Sequence, residues 1–380
     1  MSLGVDGVLN VLKPPGMTSH DVVDAVRRLA GLRRVGHTGT LDPGAAGVLV
    51  LCLGRATRLS EFLMDVDKEY RVELRLGSRT STGDAYGEVL PPPAGGASLA
   101  RAAGPGAAGG PAPDREAGRA GIGPTAWARN AAAVEAVLRR FTGEILQVPP
   151  MVSAIHHEGA RLYELARRGE VVDVQPRPIV VHRIEIVTHD RDWTRLLLHV
   201  TCGKGAYIRK LCADVGDALG CGGYAHFMVR TRTGTFEVEH ARTLEELGAL
   251  AAEGALEGAL MSMDDAVGHL PAVDLSDQSV SDVLHGHPVP VWKAGRVLAD
   301  QVPVRLRSRR GALVALARVE QGLLRPFKVL AGAAGGAAER QARPAQTGPS
   351  RARGASQDVP AKPGRSRPPG GPRAPHLRPR

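Results

Sequence analysis

No stretch of this chain is apolar for long enough to cross a bilayer as a helix. The longest such run, Ala46–Leu53, falls far short of the roughly 18–20 residues that a span requires. Cysteine is scarce: Cys52, Cys202, Cys212 and Cys221 form no Cys-x-x-Cys pair, and no histidines stand at a matching spacing. That argues against a disulfide framework or a zinc site and leaves reduced thiols in a core. The opening Met-Ser-Leu-Gly-Val-Asp lacks the basic region and apolar stretch of a secretory signal. A dinucleotide-binding fingerprint and a cluster of metal ligands are missing as well. The expectation is a soluble, cytoplasmic protein with no membrane attachment.

Aromatic residues are absent from two segments, and neither is expected to fold. Pro91 to Thr125 holds 26 Ala, Gly or Pro among its 35 residues, too little surface to offset chain entropy. It reads as an insertion (91–125) in a surface loop. The Pro- and Arg-rich stretch 331–380 reads as a disordered basic tail. The formal charge of the chain is +10, but ten Lys/Arg against two acids between Gly332 and Arg380 put +8 in that tail. The body is close to neutral, so a claim of nucleic-acid binding has to come from its motifs rather than its net charge.

What remains forms three blocks: Val5–Leu90, Trp127–Gly268 and Leu270–Leu330. In the first, Leu9–Leu12 reads as a strand, and Ser19 as the cap of a helix carrying Val22, Val26 and Leu29. A buried strand Val48–Leu53 and a helix Ala56–Met64 follow. Tyr70, Val72, Leu74 and Leu76 then alternate with polar residues in the period of a half-buried strand. The second block predicts helices over Ala131–Phe141 and Arg161–Arg168, paired strands Ile179–Val187 and Thr194–Thr201, and a helix striped by Ile208, Leu211, Cys212, Val215 and Leu219. The third holds short β-like runs, Val289–Trp292, Val304–Leu306, Leu313–Arg318 and Leu324–Val329. Strands mixed with segregated helices predict an α+β fold: a central mixed or antiparallel sheet flanked by helices, with a small β-rich C-terminal module.

One loop carries the candidate chemistry: Gly36-His37-Thr38-Gly39-Thr40-Leu41-Asp42-Pro43-Gly44-Ala45-Ala46-Gly47. Pro43 biases Asp42 toward an extended backbone, and the glycines allow tight turns or close approach of a ligand. Taken by itself, Asp-Pro-Gly is also a good turn.

The loop does not stand alone. Lys13-Pro14-Pro15-Gly16-Met17-Thr18-Ser19 precedes it and Lys68-Glu69-Tyr70-Arg71 follows. Further on come Gln147-Val148-Pro149-Pro150-Met151-x-Ser153-Ala154 and Gly203-Lys204-Gly205-x-Tyr207-Ile208-Arg209. In this order the motifs resemble the TruB family of tRNA pseudouridine synthases, from about Gly7 to Thr235 with the 91–125 insertion between. The resemblance implies a pseudouridine synthase fold over 1–268, with a thumb-like RNA-binding segment at 141–181 and a PUA-like domain at 270–330. It implies isomerisation of uridine 55 in the T-loop of tRNA by a monomer, without cofactor, guide RNA or obligatory protein partner.

By the same resemblance Asp42 is the nucleophile, attacking either the base or the sugar, and Arg209 is its partner. A guanidinium suits that task because it stays charged where burial would otherwise neutralise the carboxylate. The helix stripe puts Arg209 about 100° away from the buried face, on the first turn. Tyr70 is expected against the target base and Tyr207 near the pocket. His37 is expected to take the place of the flipped base, since a uridine within a folded loop has to be everted to react. Lys13 is expected either to touch the RNA backbone or to support the Asp42 loop. In the thumb, His156, His157, Arg161, Arg167 and Arg168 are basic, beside Met151 and Tyr163. Two adjacent histidines point apart, which speaks against a metal there.

The chain departs from the family pattern at Gly223–Thr231. Relatives read Ala-His-x-x-x-Leu-Arg-Arg-Thr there, whereas this chain has Tyr224, His226 and Val229. Two other readings stay open: a synthase directed by a guide RNA, which generally lacks the thumb, and a non-catalytic module that binds or folds tRNA.

Overall fold

The computed structural model describes residues 6–91, 131–151, 153, 156–157, 160–170, 172–291 and 300–330. The expected insertion beyond Pro91 and the basic tail lie outside the described residues.

The chain opens with β1 (Gly7–Lys13) and α1 (Ser19–Ala30). Thr18, not Ser19, caps α1. Its hydroxyl accepts from the Asp21 amide at 3.1 Å while the Asp21 carboxylate accepts from the Thr18 amide at 2.7 Å, a reciprocal capping box. The expected cap thus lies one residue late, and Ser19 is freed for another task. β2 (Val35–His37) leads into the Asp42 loop and β3 (Ala46–Leu53) leaves it. The expected helix Ala56–Met64 is a 3-10 segment, Gly54–Leu59, followed by a short α2 (Ser60–Met64). Next come β4 (Lys68–Leu76) and a small hairpin of β5 (Arg79–Thr80) and β6 (Val89–Leu90).

After the undescribed stretch come α3 (Ala131–Arg140), β7 (Gly143–Gln147), a second hairpin of β8 (His156–His157) and β9 (Ala160–Arg161), and α4 (Leu162–Arg167). β10 (Arg177–His189), β11 (Arg195–Cys202), α5 (Ile208–Ala218), β12 (Gly223–Thr233) and β13 (Phe236–Glu237) complete the main sheet. α6 (Leu244–Ala252) and α7 (Met263–Ala266) lead to β14 (Ala272–Leu275), α8 (Asp277–Leu284), β15 (Val289–Pro290), β16 (Val304–Ser308), β17 (Leu313–Glu320) and β18 (Leu323–Val329).

The nine-stranded main sheet runs β1-β3-β12-β4-β11-β10-β7, with β2 on β3 and β13 on β12. β3 and β12 are parallel and the other neighbours antiparallel, so the sheet is mixed, as expected. The C-terminal strands form a separate five-stranded sheet, β14-β16-β17-β18-β15. β3 reads as a continuous apolar run because both of its faces are covered. Leu49, Leu51 and Leu53 enter the main core with Val22, Val26 and Leu74. Val48, Val50 and Cys52 pack with Leu313, Leu316 and Leu330 of the C-terminal sheet.

β12, at the centre of the sheet, escapes the period-two reading. Its register on β4 shifts between Ala225 and Phe227 and again between Arg230 and Arg232, and each bulge resets the alternation.

Candidate active site

The Asp42 loop is anchored from beneath by two buried cations and a hydroxyl. Lys13, at the end of β1, is fully buried, and its ammonium donates to the carbonyls of Pro14 (2.9 Å), Pro43 (3.2 Å) and Ala45 (2.7 Å). Burial pushes its pKa down to about 8, with the charge of Asp42 pulling the other way. With all three donors taken and no exposed face, Lys13 has nothing to offer a phosphate. Of the two roles expected for Lys13, contact with the RNA backbone or support of the Asp42 loop, these bonds belong to the second. Ser19 Oγ donates to the Leu41 carbonyl at 3.0 Å and accepts from the Leu41 amide at 2.8 Å, fixing the residue before Asp42.

Arg230 on β12 is the second buried cation. It donates through Nε to Val48 O (2.7 Å), through Nη2 to Gly39 O (3.1 Å) and through Nη1 to Thr40 O (3.4 Å). The strands meet closely here. A Cβ on Gly47, whose φ is +111°, would stand 2.2 Å from Arg230 O, so only glycine fits.

Arg209, on the first turn of α5, clamps Asp42 in a bidentate pair. Nε donates to Oδ2 at 2.7 Å and Nη2 to Oδ1 at 2.9 Å. Nη1 donates to Thr82 O at 2.9 Å and stands 3.6 Å from Asp84 Oδ2. The Arg209 side chain is 3 % exposed and that of Asp42 31 %. The sequence expectation of an arginine away from the buried face is corrected here. The guanidinium lies in the interior because a carboxylate neutralises it and fork geometry uses its donors. Asp42 keeps part of its carboxylate open, beside a cleft lined by Gly44, Asp84, Tyr86, His226, Phe227 and Met228.

Tyr70 lies directly across from Arg230 in the β4–β12 register and is 6 % exposed. Burial raises its pKa, with the Arg230 guanidinium opposing, so the hydroxyl stays protonated. His37, at the end of β2, accepts weakly from the Gly39 amide through Nδ1 at 3.4 Å. Tyr207 precedes α5, and its backbone is held by Gln147, whose Oε1 accepts from the Tyr207 amide (2.8 Å) and whose Nε2 donates to the Tyr207 carbonyl (3.1 Å). Burial raises the Tyr207 pKa too, and the charges of Arg209 and Asp42 both reach its hydroxyl. The side chains of His156, His157, Arg161, Tyr163 and Arg167 lie outside the described residues.

Thr82, Asp84 and Arg230 escaped the sequence reading. The first two sit in Ser81-Thr82-Gly83-Asp84-Ala85-Tyr86-Gly87, which looks like an ordinary polar turn. Arg230 falls in the stretch noted for its departures from the family pattern.

Comparison with known proteins fits this geometry. A model described as TruB family pseudouridylate synthase (N terminal domain) matches residues 27–98 and 119–208. A tRNA pseudouridylate synthase B C-terminal domain model matches 209–268. The tRNA pseudouridine synthase B of Pelotomaculum thermopropionicum is 44 % identical over 299 residues, covering 78 % of this chain and 85 % of that protein.

The chain belongs to the TruB family.

A second TruB relative, from Heliobacterium modesticaldum, is 40 % identical over 331 residues, covering 86 % of this chain and 96 % of its own. Among solved structures, a chain of the crystal structure of a Cbf5-Nop10-Gar1 complex superposes with a TM-score of 0.62 at 26 % identity, over 86 % of this chain and 85 % of that one. The TruB model skips residues 99–118, inside the Ala/Gly/Pro-rich stretch.

Proposed function

We propose that this protein converts uridine 55 in the T-loop of tRNA to pseudouridine, acting alone, with Asp42 as its nucleophile. The conversion of tRNA uridine to pseudouridine is the reaction that the TruB relatives are named for. The observation that carries the finer reading is the clamp on Asp42. Both carboxylate oxygens accept from a guanidinium that is itself out of solvent, while the carboxylate stays 31 % exposed. A carboxylate so held is fixed in place by two charge-assisted hydrogen bonds while part of it stays open to solvent. It is therefore available to form a bond, either to C6 of the base or to C1′ of the sugar.

Isomerisation breaks N1–C1′, turns the uracil and joins C5 to C1′. The C5 proton leaves and N1 ends protonated, so the product has the atoms of the substrate. No electron is gained or lost and nothing is hydrolysed, and the reaction asks for no cofactor. The target has to leave the loop stack to reach Asp42. His37, where β2 enters the loop, is the candidate to occupy the space it vacates. Tyr70, kept protonated by burial, is suited to pack against the everted base as a neutral group. Residues 141–181 act as a thumb on the T-stem and the five-stranded C-terminal sheet as an accessory RNA-binding module.

The test is incubation of the purified protein with an unmodified tRNA transcript, with no guide RNA and no partner protein, followed by mapping of pseudouridine. Modification at position 55 alone is the expected result. Modification elsewhere would overturn the assignment of position. A requirement for a guide RNA would move the chain to the guide-directed class.

A further inference from the structure

The whole chain has only five Phe, five Tyr and three Trp, so the location of exposed rings is informative. Tyr86 (70 % exposed), Phe227 (41 %) and Phe327 (37 %) stand open to solvent. Phe327 has company, with the Phe62 ring 6.1 Å away and the Arg318 guanidinium over its face at 4.7 Å. Among the described residues nothing stacks on Tyr86 or Phe227, and both line the cleft beside Asp42 together with His226.

Neither ring is on a loose segment. The Asp84 carboxylate accepts from Thr82 Oγ1 at 2.6 Å and from the Tyr86 amide at 3.0 Å. Thr80 Oγ1 donates to the Asp84 carbonyl at 2.7 Å, and Ala225 of β12 donates its amide to Gly83 O at 3.0 Å. This is the turn that also receives Arg209 on Thr82 O, so Tyr86 is fixed relative to the nucleophile. Its ring leans on Gly44 of the Asp42 loop, where an added Cβ would come within 2.1 Å of Cε2. Glycine at position 44 makes room for the ring. Phe227 is turned outward just after the first β12 bulge.

We infer that Tyr86 and Phe227 form a stacking platform for an unpaired base of the RNA next to the isomerised uridine. Aromatic faces bind any base, and their ordering cost is met in advance by the rigid turn. Two carboxylates, Asp42 and Asp84, stand at this cleft against the one guanidinium of Arg209, a balance that disfavours a phosphate and favours a neutral base. The platform continues the active-site cleft, so its occupant is part of the substrate. These two are positioning residues, and the inference rests on the proposed RNA substrate.

The experiment is equilibrium binding and steady-state kinetics of Tyr86→Ala, Tyr86→Phe and Phe227→Ala on an unmodified tRNA transcript. Each alanine variant is expected to weaken binding about tenfold, within the range known for base–aromatic stacking, and to raise KM more than it lowers kcat. Tyr86→Phe keeps the ring and is expected to bind as the wild type does. Thermal unfolding of the alanine variants should match wild type because both rings are exposed. Unchanged binding by both alanine variants would overturn the inference, as would a loss in Tyr86→Phe equal to that in Tyr86→Ala. Failure of the wild type to bind and modify the transcript would instead remove the functional reading itself.

Discussion

The molecule contains two buried arginine–aspartate constellations, one at the site proposed to react and one that braces the fold. At the Asp42 loop the guanidinium is the buried member, 3 % exposed, and the carboxylate keeps 31 % exposure towards a cleft. At the base of the C-terminal sheet, Asp264 is 12 % exposed and is shared by Arg305 at 2.8 Å and Arg307 at 3.5 Å. Arg305 also donates to the carbonyls of Leu270 and Gly268. Here both guanidiniums converge on Oδ2 while Oδ1 is buried without a hydrogen-bond partner, so the carboxylate keeps no open face. The same chemical pair thus serves opposite ends. In one place the cation holds an anion that stays open, and in the other the anion ties strand β16 to the short helix α7.

The comparison can be broken at several points. Arg209→Lys replaces a bidentate fork by a point charge and is expected to lower kcat about a thousandfold, measured on a tRNA transcript. Near-normal turnover would show that the fork is dispensable. The counterpart, Asp264→Asn, takes away the carboxylate that pairs with the buried Arg305, while Arg307 keeps Asp274, and is expected to lose about 3 kcal/mol of stability. Urea unfolding would show that loss, with kcat unchanged below the transition. A fall in kcat instead would erase the distinction between the two sites. Arg230→Lys should be milder. The loop keeps a cation but loses the contacts to Gly39 and Thr40, and a small displacement of Asp42 is expected to cost about tenfold in kcat.

The smallest effect concerns Lys13. Its pKa is lowered from the usual 10.5 to about 8, so the folded state releases this proton before the unfolded state does. The contribution of Lys13 to stability is therefore least below pH 8 and rises as the pH climbs from 8 to 10.5. Lys68, likewise buried and lowered to about 8, acts in the same direction. Lys13→Met should flatten the rise of unfolding free energy between pH 8 and 10.5, and an unchanged slope would place the proton loss elsewhere.

Much of this was legible in the sequence. The stripe of α1, the alternation of β4 and the doubly buried β3 follow from periodicity, and the family from five motifs in order. What stayed hidden depends on groups distant along the chain. The burial of Arg209 follows from Asp42, 167 positions away, not from the helix that carries it. Asp84 and Thr82 look like turn residues until the turn is seen to receive a guanidinium. Lys13 shares a motif with glycine and prolines, and nothing local says that its ammonium folds inward onto Pro43 and Ala45. β12 was hidden by its two bulges, and one of them turns Phe227 towards the cleft.

The most direct test of the central claim is Asp42→Asn, assayed for release of tritium from C5 of uridine in a labelled tRNA transcript and, in parallel, for binding of that transcript. Asparagine is nearly isosteric, and Thr82 O and Asp84 remain to hold Arg209. No tritium release is expected, with tRNA binding largely intact. Release at a rate close to that of the wild type would show that Asp42 is not the nucleophile.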